Sequence, residues 1–317
     1  MASNFPPSVR LVALPTQAGL RLDQFLAEAT RLSRRRARVL AGEGRVLRDG
    51  KVARILSRAV EAGTVVDLVG IEEDLGVPAR PELPPVVIVH EDPWLVVVDK
   101  PAGVLSQPSE ERALGELAAD ERLLLHLAVR EDRPPFLRLV HRLDRATSGL
   151  LLFARSPAAT EPLARLWREG KVERRYLAMV EGRPDFETRL VEAPIGRVAG
   201  GAWRFEVSPT GKPAATEVRV IEAGERFSRV ECRLRSGRTH QVRVHLAHLG
   251  HPVAGDRLYG ARQPGPTRPL LHAAELALPH PKDGRPLRLV APVPADFQEG
   301  GHGGPPLRQE AQAEGSR

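Results

Sequence analysis

The first seventy positions alternate between helical and strand-like spacing of apolar residues. Leu22, Phe25, Leu26 and Ala29 recur on one helix face, which predicts a short amphipathic helix. Ser33 reads as the N-cap of a second helix over Arg34–Ala41, stopped by Gly42 and Gly44. On it Ala37, Leu40 and Ala41 can face a core, while Arg34, Arg35 and Arg38 share a face. Val46-Leu47, a turn at Asp49-Gly50 and Val52 predict a hairpin, and Thr64–Val69 a closing strand.

Residues 71–85, IEEDLGVPARPELPP, carry four acids, one arginine and four prolines, the composition of an extended linker. The pattern then becomes strand-rich. Two β-rich runs flank Asp92-Pro93 in VVIVHEDPWLVVVDKPAG at 86–103, a second hairpin. Further strands are predicted at Leu137–Val140, Leu150–Ala154, Arg174–Glu181, Thr216–Ile221 and Ser228–Arg235. Ser156-Pro157 opens a helix running to about Glu169, and a second helix spans Thr239–Leu249, closed by Gly250 and Pro252. Strands outnumber helices, so the fold class is α+β, built on a mostly antiparallel mixed sheet with flanking helices and preceded by a small α/β module. The organisation expected is a module at 11–70, a linker at 71–85, a main domain at 86–298 and a disordered tail at 299–317, EGGHGGPPLRQEAQAEGSR being too poor in apolar residues to pack.

Charge refines this picture. The chain of 317 residues has 47 Lys plus Arg against 40 Asp plus Glu, a net +7. Residues 1–70 hold 12 bases and 6 acids, so nearly all of the excess sits on the N-terminal module. Only five of the bases are lysines (51, 100, 171, 212 and 282). Planar guanidinium groups suit phosphate, and a compact basic helix beside a hairpin points to RNA rather than to a merely solvated face. The one cysteine, Cys232, excludes an intrachain disulfide and a Cys-based zinc cluster, which together with the lack of an apolar leader or an 18-residue apolar run predicts a cytoplasmic protein with no membrane partner.

Three constellations could carry chemistry. LVHRLDRATSGLLLFARS at 139–156 packs His141, Arg142, Asp144, Arg145, Thr147 and Ser148 between two apolar runs. Asp144 between two arginines reads either as a structural ion pair or as a preorganised carboxylate set among cations. In GKVERRYLAMVEG at 170–182, Tyr176, Ala178 and Val180 share a strand face, and Tyr176 is one of only two tyrosines. It is either a core aromatic or a platform for a stacked base. LRSGRTHQVRVHLAHLGHPVAGDRLYG at 234–260 carries His240, His245, His248 and His251. On a helix His240 and His245 would lie about 140° apart, unlike a metalloprotease pair, so structural or solvated histidines are favoured over metal ligands. The sequence has no P-loop, no strand–GxGxxG–helix unit and no GxSxG elbow, which argues against nucleotide, dinucleotide and serine-hydrolase chemistry.

At HRLDRATSGLLLFA (141–154) the sequence resembles the RluA-type family of large-subunit ribosomal RNA pseudouridine synthases. EDPWLVVVDKPAGV (91–104), KVERRYLAMVEG (171–182), GKPAATEVRV (211–220), LRSGRTHQVRVHLAHLGHPVAGDRLYG (234–260) and LLHAAELALPHP (270–281) follow in the family's order, and residues 21–69 resemble its S4-like RNA-binding module. The resemblance implies isomerisation of a uridine in ribosomal RNA: the base is detached at its glycosidic bond, turned, and rejoined through ring carbon five. It implies Asp144 as the catalytic carboxylate, Tyr176 packed on the target base, Arg238 as the counter-ion of Asp144, and Arg142 and His141 against the RNA, with Arg34, Arg35 and Arg38 on the module. No cofactor and no metal are implied, and a monomer is the family's default. Three departures stand out: Asp99 where many members have Asn, Ser106-Gln107 where a histidine before proline is common, and LRDGK at 47–51 in place of the usual V-N-G-K. The alternative from a different class is a catalytically silent RNA-binding or ribosome-assembly factor.

Overall fold

A computed structural model describes residues 7–71, 75–76, 83–109, 112–113, 116–131, 133–198 and 204–299. The expected tail after Glu299, and most of the expected linker, lie outside the described residues. In chain order the elements are β1 (Pro7–Val12), α1 (Leu22–Ala29), α2 (Arg34–Gly42), β2 (Val46–Arg48), β3 (Lys51–Val52), β4 (Val65–Val69), β5 (Val87–Glu91), β6 (Leu95–Lys100), α3 (Ala119–Glu131), β7 (Arg138–Leu139), β8 (Ser148–Ala154) and α4 (Pro157–Arg168). They continue with β9 (Glu173–Glu181), β10 (Thr188–Glu192), β11 (Ile195–Arg197), β12 (Phe205–Val207), β13 (Ala215–Glu222), β14 (Phe227–Leu234), α5 (Gln241–His248), β15 (Leu271–Pro279), β16 (Pro286–Val290) and α6 (Asp296–Glu299). The fold is α+β, with large, mostly antiparallel sheet structure and few helices. Two compact units result: Met1–Val172 with Leu276–Ala291, and Glu173–Glu275 with Pro292–Arg317.

The first unit opens with a four-stranded sheet in the order β1-β4-β2-β3. Leu22, Phe25 and Leu26 of α1 and Ala37, Leu40 and Ala41 of α2 bury against Val46, Val66 and Leu68, which is what their spacing demands. The Ser33 side chain caps α2 by accepting from the Arg36 amide. Asp49 and Gly50 both take positive φ (50° and 74°), the left-handed pair that a two-residue hairpin needs. Across β1 and β4, Arg10 donates to both carboxylate oxygens of its register partner Asp67, at 2.7 and 3.2 Å. Ile71 and Leu75, in the stretch expected to be an extended linker, bury in this same core.

Later in the unit, β6 pairs antiparallel with β5 and β8, and α4 closes a core of Leu95, Val97, Leu150, Leu152, Leu163 and Leu276. The β5–β6 turn is built on Asp92, whose Oδ1 accepts from the Trp94 and Leu95 amides while Oδ2 takes the His90 and His280 Nε2 hydrogens. Burial alone would raise the Asp92 carboxyl, but these four hydrogen bonds outweigh it and hold it at about 2. Sequence periodicity misses α3. Its residues 119, 121, 123, 125 and 127 are all buried, a two-residue alternation in a helix packed on more than one side. One of those sides meets β1 and β4, where Leu125 and Ala128 pack on Val12 and Val65.

In the second unit the strand order is β10-β13-β14-β9, all antiparallel. Ala178, Val180, Val218, Val230 and Cys232 form its core with Val242 and Leu246 of α5. Two strands that the sequence pattern misses have physical causes. β10 is almost wholly exposed, so no apolar alternation marks it. β15, LHAAELALP, is composed of helix formers and is held extended by burial on both faces, an instance of tertiary context overriding propensity. The predicted helix from Thr239 begins instead at Gln241, because His240 takes φ 57° in the left-handed region.

Candidate active site

The expected site residues are distributed over both units. Arg34, Arg35, Arg38, His141, Arg142 and Asp144 lie in the first, and Tyr176 and Arg238 in the second. Each group is fixed by its own surroundings.

Asp144, half-buried, sits on the loop that feeds β8. Its carbonyl accepts from the Thr147 amide at 3.1 Å, closing a turn over Arg145 and Ala146. The Arg145 carbonyl takes the Gly103 amide at 2.8 Å and the Lys100 ammonium at 3.3 Å. Lys100 is fully buried, and its Nζ also donates to the carbonyls of Val104 (2.8 Å) and Pro101 (3.0 Å). A buried ammonium is tolerated when its donors are met, and here a backbone cage meets them. Just upstream, buried Ser106 accepts from the Leu143 amide (2.9 Å) and donates to the Leu143 carbonyl (2.8 Å). Outside the turn, the Arg145 guanidinium pairs with Glu116 at 2.6 Å, so the arginine that follows Asp144 in sequence is directed to another acid. Asp99 is half-buried, and burial pushes its carboxyl up.

Arg142 is exposed beside the turn, as an RNA contact needs. His141 is placed otherwise. Its Nε2 accepts from the Leu152 amide at 3.1 Å, and its ring stacks on Trp167 at 4.4 Å and 15°. Those contacts tie the start of the loop to β8 and α4, so His141 serves as a support for the loop. On α2, Arg35 and Arg38 are exposed, but Arg34 sends Nε and an Nη to Asp23 at 3.0 and 2.8 Å. Asp23 is buried, which would raise its carboxyl, but the hydrogen bonds from Arg34 and Arg21 prevail and lower it. Arg34 is thus a staple between α1 and α2, a role the helical-wheel argument does not reveal.

In the second unit Tyr176 stands on β9, opposite Cys232 of β14, on the face it shares with Ala178 and Val180. Two residues before it, Arg174 is buried, with a guanidinium lowered in pKa by burial and sensing the Tyr176 hydroxyl; an Nη donates to the Leu234 carbonyl at 3.4 Å. Sequence reasoning passed over Arg174, although a second arginine in ERRY was the available signal. Gly237 lies against this guanidinium: a Cβ there would come within 2.8 Å of it. Next to Gly237, Arg238 is exposed and donates from Nε to the Pro213 carbonyl at 3.0 Å. Gln241 holds this loop. Buried at the start of α5, its Oε1 accepts from the Arg238 amide (2.9 Å) and the Ser236 hydroxyl (2.8 Å), and its Nε2 donates to Ala215 O and Thr216 Oγ1.

Three histidines of this segment, His240, His245 and His251, have structural partners, and His248 is exposed. His245 is buried, its Nδ1 on Thr216 Oγ1 and its Nε2 on Ala193 O, both at 2.9 Å, and burial lowers its pKa. His240 Nδ1 meets the Tyr259 hydroxyl at 2.8 Å, and His251 Nδ1 meets Glu181 O at 2.9 Å. The Arg243–Asp256 pair, buried and forked at 2.6 and 2.9 Å, pins the following loop. Among the described residues, no group of three or more His, Cys, Asp or Glu could hold a metal ion, and no helix is long and apolar enough to cross a membrane.

Comparison with known proteins gives this arrangement its context. The family model for RNA pseudouridylate synthase matches residues 94–248, and that for the S4 domain matches residues 20–66. An uncharacterized RNA pseudouridine synthase of Chloroflexus aurantiacus is 40% identical over 294 residues, covering 91% of this chain and 91% of that protein. The ribosomal large subunit pseudouridine synthase D of Nitrosomonas europaea is 36% identical over 300 residues, covering 92% and 86%. Among solved structures, human RNA pseudouridylate synthase domain containing 1 is similar with a TM-score of 0.56 and 30% identity over 67% of this chain and 85% of that one. The HRLDRATSG turn falls inside the matched stretch and the basic α2 inside the S4 match, so motif order, fold and relatives agree: the chain belongs to the RNA pseudouridine synthase family and carries an S4 domain near its N-terminal end.

Proposed function

We propose that this enzyme converts uridine to pseudouridine in ribosomal RNA of the large subunit, with Asp144 as its catalytic carboxylate. The observation that carries the role of Asp144 is the bracing of its loop. The peptide groups at Leu143, Asp144 and Arg145 are tied to Ser106, Thr147, Gly103 and Lys100, which is the preorganisation a reacting carboxylate needs. The RNA class is supported by relatives such as those of Nitrosomonas europaea and Pasteurella multocida, both named as large-subunit enzymes.

In this reading residues 11–70 bind RNA and residues 86–298 carry the chemistry. The target uridine is flipped out of its stack at a cost of about a few kcal/mol. Tyr176 packing on the base offsets this by ~1–3 kcal/mol, and Arg142 contacts the RNA near the vacated position. Asp144 acts on the sugar at the glycosidic bond, as nucleophile or as the base that forms a glycal. The freed base turns and bonds to the sugar through carbon five, that carbon loses its hydrogen, and ring nitrogen one ends protonated, so the product is an isomer of the substrate. Arg238 serves as the counter-ion of Asp144. No step needs an activated water or an electron carrier, so the reading includes no cofactor. Mapping pseudouridines in ribosomal RNA from cells with and without the gene tests the substrate: one or more large-subunit sites should lose the modification and regain it on complementation. Unchanged large-subunit RNA, with a loss in another RNA, would refute the assignment.

A further inference from the structure

Ser106 occupies one of the positions where the sequence departs from the family pattern. It is 4% exposed, and its hydroxyl both accepts from the Leu143 amide and donates to the Leu143 carbonyl. The Leu143 amide belongs to the peptide plane that joins it to Arg142, and the Leu143 carbonyl to the plane that joins it to Asp144. One hydroxyl therefore fixes both planes from which these two side chains are set off. The clip is itself anchored: the Ser106 carbonyl accepts from the Asp120 amide (3.3 Å), and the Leu105 carbonyl from the Ala119 amide (2.8 Å), both at the first turn of α3. Downstream of Asp144 the loop is held by Lys100, Gly103 and Thr147, so Ser106 supplies the brace on the upstream side.

We propose that Ser106 is a positioning residue for the isomerisation: it sets the direction in which Asp144 is presented, and its removal lowers turnover more than RNA binding. The inference rests on the reading of Asp144 as the catalytic carboxylate. A displaced carboxylate loses the near-attack geometry on which rate depends, and a shift of about 1 Å costs about 100-fold. Binding by the S4 module, remote from this clip in sequence, is untouched.

The test is release of tritium from carbon five of uridine in a ribosomal RNA transcript, under single-turnover and steady-state conditions, for the full chain and its Ser106→Ala, Ser106→Thr and Asp144→Asn variants. Ser106→Ala should lower kcat by about 10- to 100-fold with KM and RNA affinity within about 3-fold, and Ser106→Thr, which keeps the hydroxyl, should recover most of the rate. Should Ser106→Ala fail to fold, Ser106→Cys carries the measurement, with kcat lowered about 5-fold or more in a protein of native circular dichroism. Wild-type kcat in Ser106→Ala or Ser106→Cys overturns the inference, as does a Thr variant as slow as Ala. Asp144→Asn separates the two ideas. If it is inactive while Ser106→Ala is unimpaired, the positioning role alone fails; if it turns over, the reading of Asp144 fails.

Discussion

Lys100→Met tests whether the cage around the loop is what holds it. Lys100 is fully buried, and its ammonium reaches the carbonyls of Val104, Pro101 and Arg145 at 2.8, 3.0 and 3.3 Å. Methionine fills nearly the same volume without a donor. Hydrogen bonds to a charged group are worth ~1.5–3 kcal/mol each. The Arg145 carbonyl keeps its bond from Gly103, so the loss falls mainly on Val104 and Pro101. Against that, the variant no longer buries an ammonium, which returns part of the loss. The net expectation is destabilisation by about 2–4 kcal/mol, with turnover lowered as well because the Arg145 carbonyl loses one of its two braces and the Pro101–Val104 segment beside it loses both of its bonds to the ammonium. Urea unfolding followed by far-ultraviolet circular dichroism gives the first quantity, and carbon-five hydrogen release the second. A variant with the wild-type unfolding midpoint and wild-type turnover would refute the idea that this ammonium braces the loop.

Other predictions follow from individual groups. The Asp120 carboxyl is pushed up to about 6, by burial first and also by Glu121 beside it. A carboxyl raised on folding holds its proton longer in the folded chain, so stability is greatest below the unfolded value near 4 and declines as pH rises through about 6. Asp120→Asn should therefore leave stability at pH 4 unchanged and raise it at pH 7.5 by about 2–3 kcal/mol, measured by urea unfolding at both pH values; equal effects at both would contradict this. On the S4 domain the three arginines should separate. Arg34→Ala leaves buried Asp23 with Arg21 as its remaining charged partner among the described contacts, and should cost about 1–3 kcal/mol of stability. Arg35→Ala and Arg38→Ala should instead each reduce the log–log salt slope of RNA binding by about one and leave the melting temperature in place. An unchanged slope would remove α2 from the RNA interface.

What was legible in the sequence is what short-range physics controls. The spacing of Leu22, Phe25 and Leu26, the Ser33 and Ser156 caps, the Asp49-Gly50 turn and the Asp92-Pro93 hairpin all appear as predicted, because each is fixed by the residues next to it. Elements whose state depends on what packs around them were hidden. The helix at 119–131 alternates like a strand because it is buried on more than one side, and the strand at 271–279 is made of helix formers. The same division applies to the candidate site. Motifs single out Asp144, Tyr176 and Arg238 as candidates, but not the groups that hold the loops around them. Ser106, Lys100 and Gln241 each bond to a residue 26 to 45 positions away, which no local pattern reports. At Arg34 and His141, residue types that suit RNA also hold protein partners, Asp23 and Trp167, that only tertiary structure supplies.

In the proposed function, Asp144, presented by a braced turn, performs the isomerisation. The measurement that bears on it most directly is release of hydrogen from carbon five of uridine in ribosomal RNA by the Asp144→Asn protein, with RNA affinity measured alongside. Asparagine keeps the size of the side chain and removes its charge. The prediction is no release above background with RNA affinity within about 3-fold of wild type, because the lost charge acts in the reaction and not in docking. Sustained turnover by Asp144→Asn would contradict the account.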